Sequence, residues 1–436
     1  VCLGVVISFF EILSIGIIFP IMEMLIYDNV EDSKFYNIIK DILVFETKEN
    51  LFKFIAISTV VIFIGKNILL AFSKYINNRF LFALRNNLEV DFFYHYVKKN
   101  LLFHKNTNSA KLITNLDSEI SLFIKNVLLG SIELLTTSLI ILFSLVMIIF
   151  VNYYVSLFII LLILILYFAV IRVFRKKVEK FGLDRSKFAT ARLKLIQESF
   201  SSIYEVKNNF LEQKLSLSLK RILYKISRSK LYIYFLSFLP QIISEIVIII
   251  CLFVGFMYAL DNNLDLKSFL PEISLIILTF IRLSPLANKS INIINAIVYA
   301  EPTVNRLSSG ITLLNNETLN DNLEINQIKF KDKIEFDSVS FAYEDNSTIL
   351  ENVNLEIIKG SMVGINGISG AGKTTLLNLL TGFYQPKSGQ VLVDGKNIND
   401  LKNYKDWLIN IGYVPQRSFI FDDNIYNNIT LEFVNT

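Results

Sequence analysis

At 436 residues, with 53% hydrophobic side chains, 37 phenylalanines and a mean hydropathy of +0.49, the chain has a membrane protein's composition. The net charge of +4 is unremarkable, and no nucleic-acid partner is expected. Cys2 and Cys251 both fall in apolar runs, which points to neither a disulfide framework nor a zinc site.

A membrane-spanning helix needs roughly 20 apolar residues. Six runs qualify, at 1–26, 51–72, 127–151, 155–171, 242–260 and 269–288. The first lacks a basic leading segment and exceeds the apolar core of a signal peptide, so it reads as a span. Asn152-Tyr153-Tyr154 predicts a tight hairpin between the third and fourth. The sixth is interrupted by Pro271, Arg282 and Pro285.

The 27–50 loop carries Asp28, Glu31, Asp32, Asp41, Glu46 and Glu49. The connections at 73–126 and 172–232 instead keep helical periodicity and are rich in Lys and Arg, most densely at Arg172-Val173-Phe174-Arg175-Lys176-Lys177. Positive charge favours the cytosolic side, which places both long connections, and everything after the sixth span, in the cytosol. The expected organisation is a polytopic helical membrane domain over 1–305, a polar Asn-rich linker over 306–333 and part of an α/β domain over 334–436.

Glu11, Lys66, Glu133, Glu245 and Arg282 each interrupt an apolar run, where a charge is costly and by default functional. Counted from the outer span ends at about 1.5 Å per residue, all five lie roughly 20–27 Å deep. One reading pairs them, Lys66 with Glu133 or Arg282 with Glu245, to hold helices together. The other makes them a polar wall around an inward-open cavity, where Arg282 and Lys66 meet an anionic headgroup.

Gly367-Ile368-Ser369-Gly370-Ala371-Gly372-Lys373-Thr374 fits G-x-x-x-x-G-K-[ST]. Its glycines let backbone N–H groups approach a polyphosphate at a helix N-terminus. Lys373 would reach the β- and γ-phosphates, the Thr374 hydroxyl would coordinate Mg²⁺, and Thr375 would add a second hydroxyl. Met362-Val363-Gly364-Ile365-Asn366 predicts a buried parallel strand before the loop, and Thr375 to Leu380 a helix after it. Alternating segments at Ile334–Phe341 and Ile349–Ile357 predict antiparallel strands. Tyr343, between them, could stack on adenine; Gln416, in Gly412-Tyr413-Val414-Pro415-Gln416, could bind Mg²⁺ or water. A soluble phosphate-loop ATPase is excluded by the six spans.

These residues, with Gly382-Phe383-Tyr384-Gln385-Pro386-Lys387-Ser388-Gly389 and Asp394-Gly395, resemble the nucleotide-binding domain of ABC transporters from Ile334 to the end of the chain. The resemblance implies ATP and Mg²⁺ as cofactors, adenine stacking on Tyr343, and metal contact and coupling to the membrane domain through Gln416. It also implies a partner half-transporter, most simply a second copy, and an ATPase coupled to transport in the full-length protein. The family's signature motif, catalytic glutamate and switch histidine lie beyond the glutamine region, so no catalytic residue is assigned here. The sequence therefore reads as a piece of a longer chain at both ends.

Long cytosolic helix extensions are the design of ABC exporters, whose short transverse coupling helices would fall near 106–120 and 198–212. Ser8-Phe9-Phe10-Glu11 through Pro20 and Phe280 through Asn288 are diffusely similar to bacterial lipid-linked oligosaccharide flippases. That resemblance implies a homodimer in the bacterial inner membrane that flips an amphipathic, lipid-linked substrate. Multidrug, peptide or lipid export on the same fold, and an ATP-gated channel or regulator, are the alternatives.

Overall fold

The computed structural model describes residues 4, 6–7, 9–10, 48–151, 153–261, 266–316, 330–343, 348–398, 406–416 and 418–431. It divides into two compact units, residues 1–98 with 107–317 and residues 99–106 with 318–436.

The first unit is helical. Helix α1 spans Lys48–Lys98, and the short α2, Leu101–Asn106, belongs to the second unit. Asn108, extended at φ −68°, then caps α3 (Ser109–Thr114) by accepting from the Ala110 N–H at 2.8 Å. The helix widens into π-type turns at Asn115–Glu119 and Phe123–Leu129, on either side of α4 (Ile120–Leu122), before α5 (Gly130–Val151). Such turns are rare and cluster where a side chain must be re-aimed; the first ends on the fully buried Glu119.

Helix α6 (Tyr153–Ser201) begins two residues after α5 ends, as the predicted hairpin requires. It is followed by α7 (Ile203–Asn208), α8 (Glu212–Asp261) and α9 (Leu266–Asn316). Pro240 sits inside α8, and Pro271 and Pro285 inside α9, without ending either helix. Neighbouring helices and local adjustment re-satisfy the backbone groups that proline frees.

Segments Lys53–Lys98, Ser109–Val146 and Glu212–Val247 are long and apolar enough to cross a membrane. The expected spans at 155–171 and 269–288 run within α6 and α9. The expected first span, and Glu11 with it, lies outside the described residues except at 4, 6–7 and 9–10. Helix α9 continues through residues 306–316, and 317–329 lie outside the described set.

Helix α6 packs against both α8 and α9. Val178, Leu236 and Tyr299 form a core where the three meet, and Phe181 lies with its ring 5.0 Å from Tyr232. Gly182 permits the closest approach: a Cβ there would collide with the Tyr299 carbonyl oxygen.

The second unit is built on an antiparallel sheet of order β2-β1-β3-β4, comprising β1 (Lys333–Ala342), β2 (Thr348–Ile358), β3 (Ser388–Val393) and β4 (Lys396–Asn397). The alternation read at 334–341 and 349–357 gives the paired strands β1 and β2. Ile334, Phe336, Val339, Phe341, Val391 and Val393 face a core completed by Leu379, Tyr384 and Trp407. Leu102 of α2 packs against the same core.

The predicted strand at Met362–Asn366 does not form; the run carries no ladder and leaves Met362 and Val363 exposed. A buried parallel strand needs neighbours on its edges, and the four described strands pair only antiparallel.

Candidate functional site

The loop from Gly367 to Gly372 leads into α10 (Lys373–Leu380), the helix predicted after the motif. Gly370 and Gly372 adopt φ of +85° and +84°, a region open to glycine at no steric cost. At Gly372 a Cβ would also press on Ile349 and Leu350 at 3.1 Å, so the glycine sets how tightly the loop folds under β2.

Lys373 Nζ donates to the carbonyls of Gly367 at 2.7 Å and Ile368 at 2.8 Å. The ammonium thus sits inside its own loop. Residues 367–371 are exposed, so an incoming anion can reach their backbone. The loop fits a polyphosphate: the N–H donors, the helix N-terminus and the lysine are together, and the bonds to be exchanged are the lysine's, the Gly367 N–H to Asn366 Oδ1 at 2.8 Å and the Ala371 N–H to the Ile368 carbonyl at 3.2 Å.

The other predicted site residues are placed unevenly. Thr374 is exposed at the start of α10. Thr375 is buried, and its hydroxyl is 3.1 Å from the Tyr343 hydroxyl. Tyr343 lies edge-on to Phe341 and Tyr384, with ring centroids 5.1 and 5.9 Å away. Ser369 and Ala371 are exposed loop positions, and Gln416 is exposed after Tyr413.

Lys105 of α2 is a neighbour that the sequence did not reveal. Its Nζ lies 3.9 Å from the Tyr343 ring centroid. The phenol of Tyr343 holds the Lys105 pKa above its ordinary value, against the opposing effect of burial. The transverse helix expected near 106–120 is therefore displaced: residues 101–106 pack with the nucleotide-site unit, whereas 107–120 belong to the helical unit. Near 198–212 the short helix is α7.

Within the helical unit, the π-type turn Phe123–Leu129 with α5, α8 and α9 lines a cavity of about 600 Å³. Glu133 and Glu245, two of the five predicted intramembrane charges, both line it, together with Lys125, Gln241, Asn288 and Lys289. Glu133 pairs with Lys289 at 3.0 Å, not with Lys66. Glu245 accepts from Gln241 Nε2 at 3.0 Å. Lys66 is buried near the Phe63 ring at 4.8 Å and is not in this lining. Arg282 lies on α9 with its side chain outside the described set. Lys289 falls one residue past the predicted sixth span, which is why it escaped the count of intramembrane charges.

Apolar helices of membrane-crossing length and a phosphate-cradling loop on an α/β unit, in one chain, define a membrane-embedded ATP-binding architecture. A family model described as the ABC transporter transmembrane region matches residues 4–283, and one described as ABC transporter matches residues 350–432. The first covers more than half of the chain, which therefore belongs to the ABC transporter family.

The lactococcin-G-processing and transport ATP-binding protein of Lactococcus lactis is 32% identical over 193 residues, 44% of this chain and 26% of that protein. The ATP-dependent lipid A-core flippase of Syntrophus aciditrophicus is 43% identical over 105 residues, 23% of this chain and 16% of that one. The chain thus matches about a quarter or less of the length of these two relatives. A solved bacterial Atm1-family ABC exporter with ATP bound superposes with a TM-score of 0.69 at 17% identity, over 97% of this chain and 73% of that chain. The fold is that of an exporter-type helical membrane domain followed by a nucleotide-binding domain, as the sequence resemblance implied.

Proposed function

We propose that the full-length protein uses ATP to export or flip an amphipathic substrate with a polar, glycan-like headgroup, of which a lipid-linked oligosaccharide is the leading case. The cavity carries this reading. Its acidic and basic lining residues, Glu133 and Glu245 against Lys125 and Lys289, balance in charge, and the amides of Asn126, Gln241, Asn288 and Asn292 surround them. Amides and paired charges hydrogen-bond hydroxyls from both the donor and acceptor side. A balanced, amide-rich wall of this kind suits the glycan part of such a headgroup. The named relatives include a lipid A-core flippase, which lends support to lipid cargo.

In the nucleotide unit, the N–H groups of 367–372 and Lys373 would hold the ATP phosphates, and Tyr343 would stack on adenine. Thr374 and Gln416 would hold Mg²⁺, which supplies charge neutralisation on the phosphates when bound. Thr375, engaged with Tyr343, fits better as the support of the adenine-stacking ring than as a phosphate ligand. The partner is a second half-transporter, most simply a second copy, in a bacterial inner membrane with the nucleotide unit in the cytosol.

The test is flipping by the full-length protein in proteoliposomes, with a fluorescent lipid-linked oligosaccharide against a glycan-free phospholipid. Gln241→Ala with Asn288→Ala should lower glycolipid flipping about tenfold while basal ATP hydrolysis persists. Equal flipping of both lipids, unchanged in the double variant, would contradict the reading.

A further inference from the structure

A second cavity in the helical unit, about 470 Å³, shares no lining residue with the first. It is walled by α4, α6, α8, α9 and the π-type turn ending at Glu119. Its lining carries Arg185, Arg192 and Lys230 against the single acid Asp117. Arg192, Lys230 and Asp117 are exposed, and the two cations have no hydrogen-bond or ion-pair partner among the described residues. Arg185 and Tyr299 are buried, at 6% and 9% exposure.

The buried pair holds unused donors. The Nη2 of Arg185 is taken, by Glu119 at 2.9 Å and Thr303 at 3.0 Å. Its Nε and the Tyr299 hydroxyl have no partner among the described residues. The guanidinium lies 5.5 Å from the Tyr299 ring centroid, so both unused donors belong to one corner of the lining. A buried donor left unpaired costs about 1–3 kcal/mol, which a ligand acceptor would relieve. Leu122, Ile226 and Ile233 add an apolar side to the same space.

Position narrows the ligand. Arg185 lies fourteen residues beyond Ile171, the end of the apolar run in α6, about 21 Å along the helix. Headgroups extend only roughly 5–8 Å beyond the hydrocarbon on each side. The cavity therefore opens to water. At its volume it would hold a molecule far larger than inorganic phosphate, within the range of small-molecule sites.

We propose that this cavity binds a water-soluble organic phosphate, whose charge meets Arg192 and Lys230 at the mouth and accepts hydrogen bonds from Arg185 and Tyr299 on the buried wall. Several oxygens on one dianion match two cations and two donors better than a single carboxylate does. The same phosphate chemistry could come from a lipid headgroup, and the experiment separates the two sources.

The probes are phenyl phosphate and benzyl alcohol, titrated calorimetrically against the purified chain in detergent. The background is Lys373→Ala, so that the phosphate-cradling loop does not contribute. Phenyl phosphate should bind and benzyl alcohol should not. Arg192→Gln with Lys230→Gln should weaken phenyl phosphate at least about tenfold, and Tyr299→Phe about threefold. The ligand-free melting temperature should hold in the double variant, whose deleted charges have no partner among the described residues, and should hold or rise in Tyr299→Phe, which removes an unpaired buried donor.

Repeating the titration in nanodiscs identifies the source. Binding that is equal in phosphatidylglycerol and phosphatidylcholine discs supports a soluble ligand. Binding suppressed only by phosphatidylglycerol assigns the site to a lipid headgroup and overturns the soluble assignment. Equal affinity in the double variant, or benzyl alcohol binding as well as phenyl phosphate, overturns the site itself.

Discussion

The phosphate-cradling loop and the Glu119 cluster handle charge in opposite ways. Among the described residues Lys373 is held by two carbonyls of its own exposed loop, an arrangement that a phosphate can replace bond for bond. Glu119 is fully buried and takes donors from Arg185, Ser186 and Thr303, with Arg306 Nη1 at 3.9 Å. Every donor to it among the described residues comes from α6 or α9, so the carboxylate ties its own segment to both helices. Exposure with replaceable local bonds marks a charge kept for a ligand; burial with bonds from two other helices marks one kept for the fold.

The largest predicted effect attacks the buried member of that comparison. Glu119→Ala leaves Arg185 buried without its anion and should cost about 3–5 kcal/mol, read as a lowered unfolding midpoint in detergent. Glu119→Leu combined with Arg185→Met should recover most of the loss, because an apolar replacement removes both desolvation penalties. Double and single variants of equal stability would show that the pair is not the origin of the effect.

Gly182→Ala comes next. The new methyl would meet the Tyr299 carbonyl and force α6 and α9 apart, at about 1–3 kcal/mol. An unchanged melting temperature would mean that the close approach is not needed.

A pH effect sharpens the contrast from the side of the second unit. Burial works against the charge of Asp394, but the N–H groups of Lys331, Lys333 and Asp332, at 2.6–2.9 Å, hold its pKa below the ordinary value. A depressed carboxylate stabilises the native state above its unfolded pKa, near ~3.9, and that contribution is lost as pH falls through the native value. Asp394→Asn should therefore destabilise at neutral pH and narrow the gap to wild type in acid. A gap that is constant with pH would sink this assignment. Tyr299 behaves in the reverse sense: burial, against the opposing charge of Arg185 and with a smaller push from Glu119, raises its hydroxyl to about 12. Its neutral form is favoured on folding, so stability should fall between about pH 10 and 12, and Tyr299→Phe should abolish that fall.

The smallest effect concerns Lys105. Removing its charge from the Tyr343 face with Lys105→Met should change nucleotide affinity by a few-fold, since an exposed cation–π contact is worth about 0.5–1 kcal/mol. Identical affinity for an adenine and a uracil nucleotide in both proteins would show that the Tyr343 face does not read the base.

Legibility in the sequence followed the same division. The phosphate loop is eight consecutive residues, and the strands β1 and β2 alternate along one stretch, so spacing alone exposed them. The Glu119–Arg185 bond joins residues 66 apart and the Arg185–Thr303 bond residues 118 apart, and no local period records such pairs. Glu133 and Glu245 were found because charge stands out in an apolar run, but their partners Lys289 and Gln241 were not. One lay just past a predicted span and the other carries no charge. The strand expected at 362–366 was misread because apolar character shows what a run could bury, not whether a partner lies beside it.

The central claim is that Lys373 and its loop form a nucleotide site. A titration of the purified chain with a fluorescent ATP analogue, with and without Mg²⁺, tests it most directly. The account predicts Mg²⁺-dependent binding that Lys373→Ala weakens strongly and Tyr343→Ala weakens by about 1–3 kcal/mol, by analogy with base–aromatic stacking. Equal affinity in wild type and Lys373→Ala would contradict it.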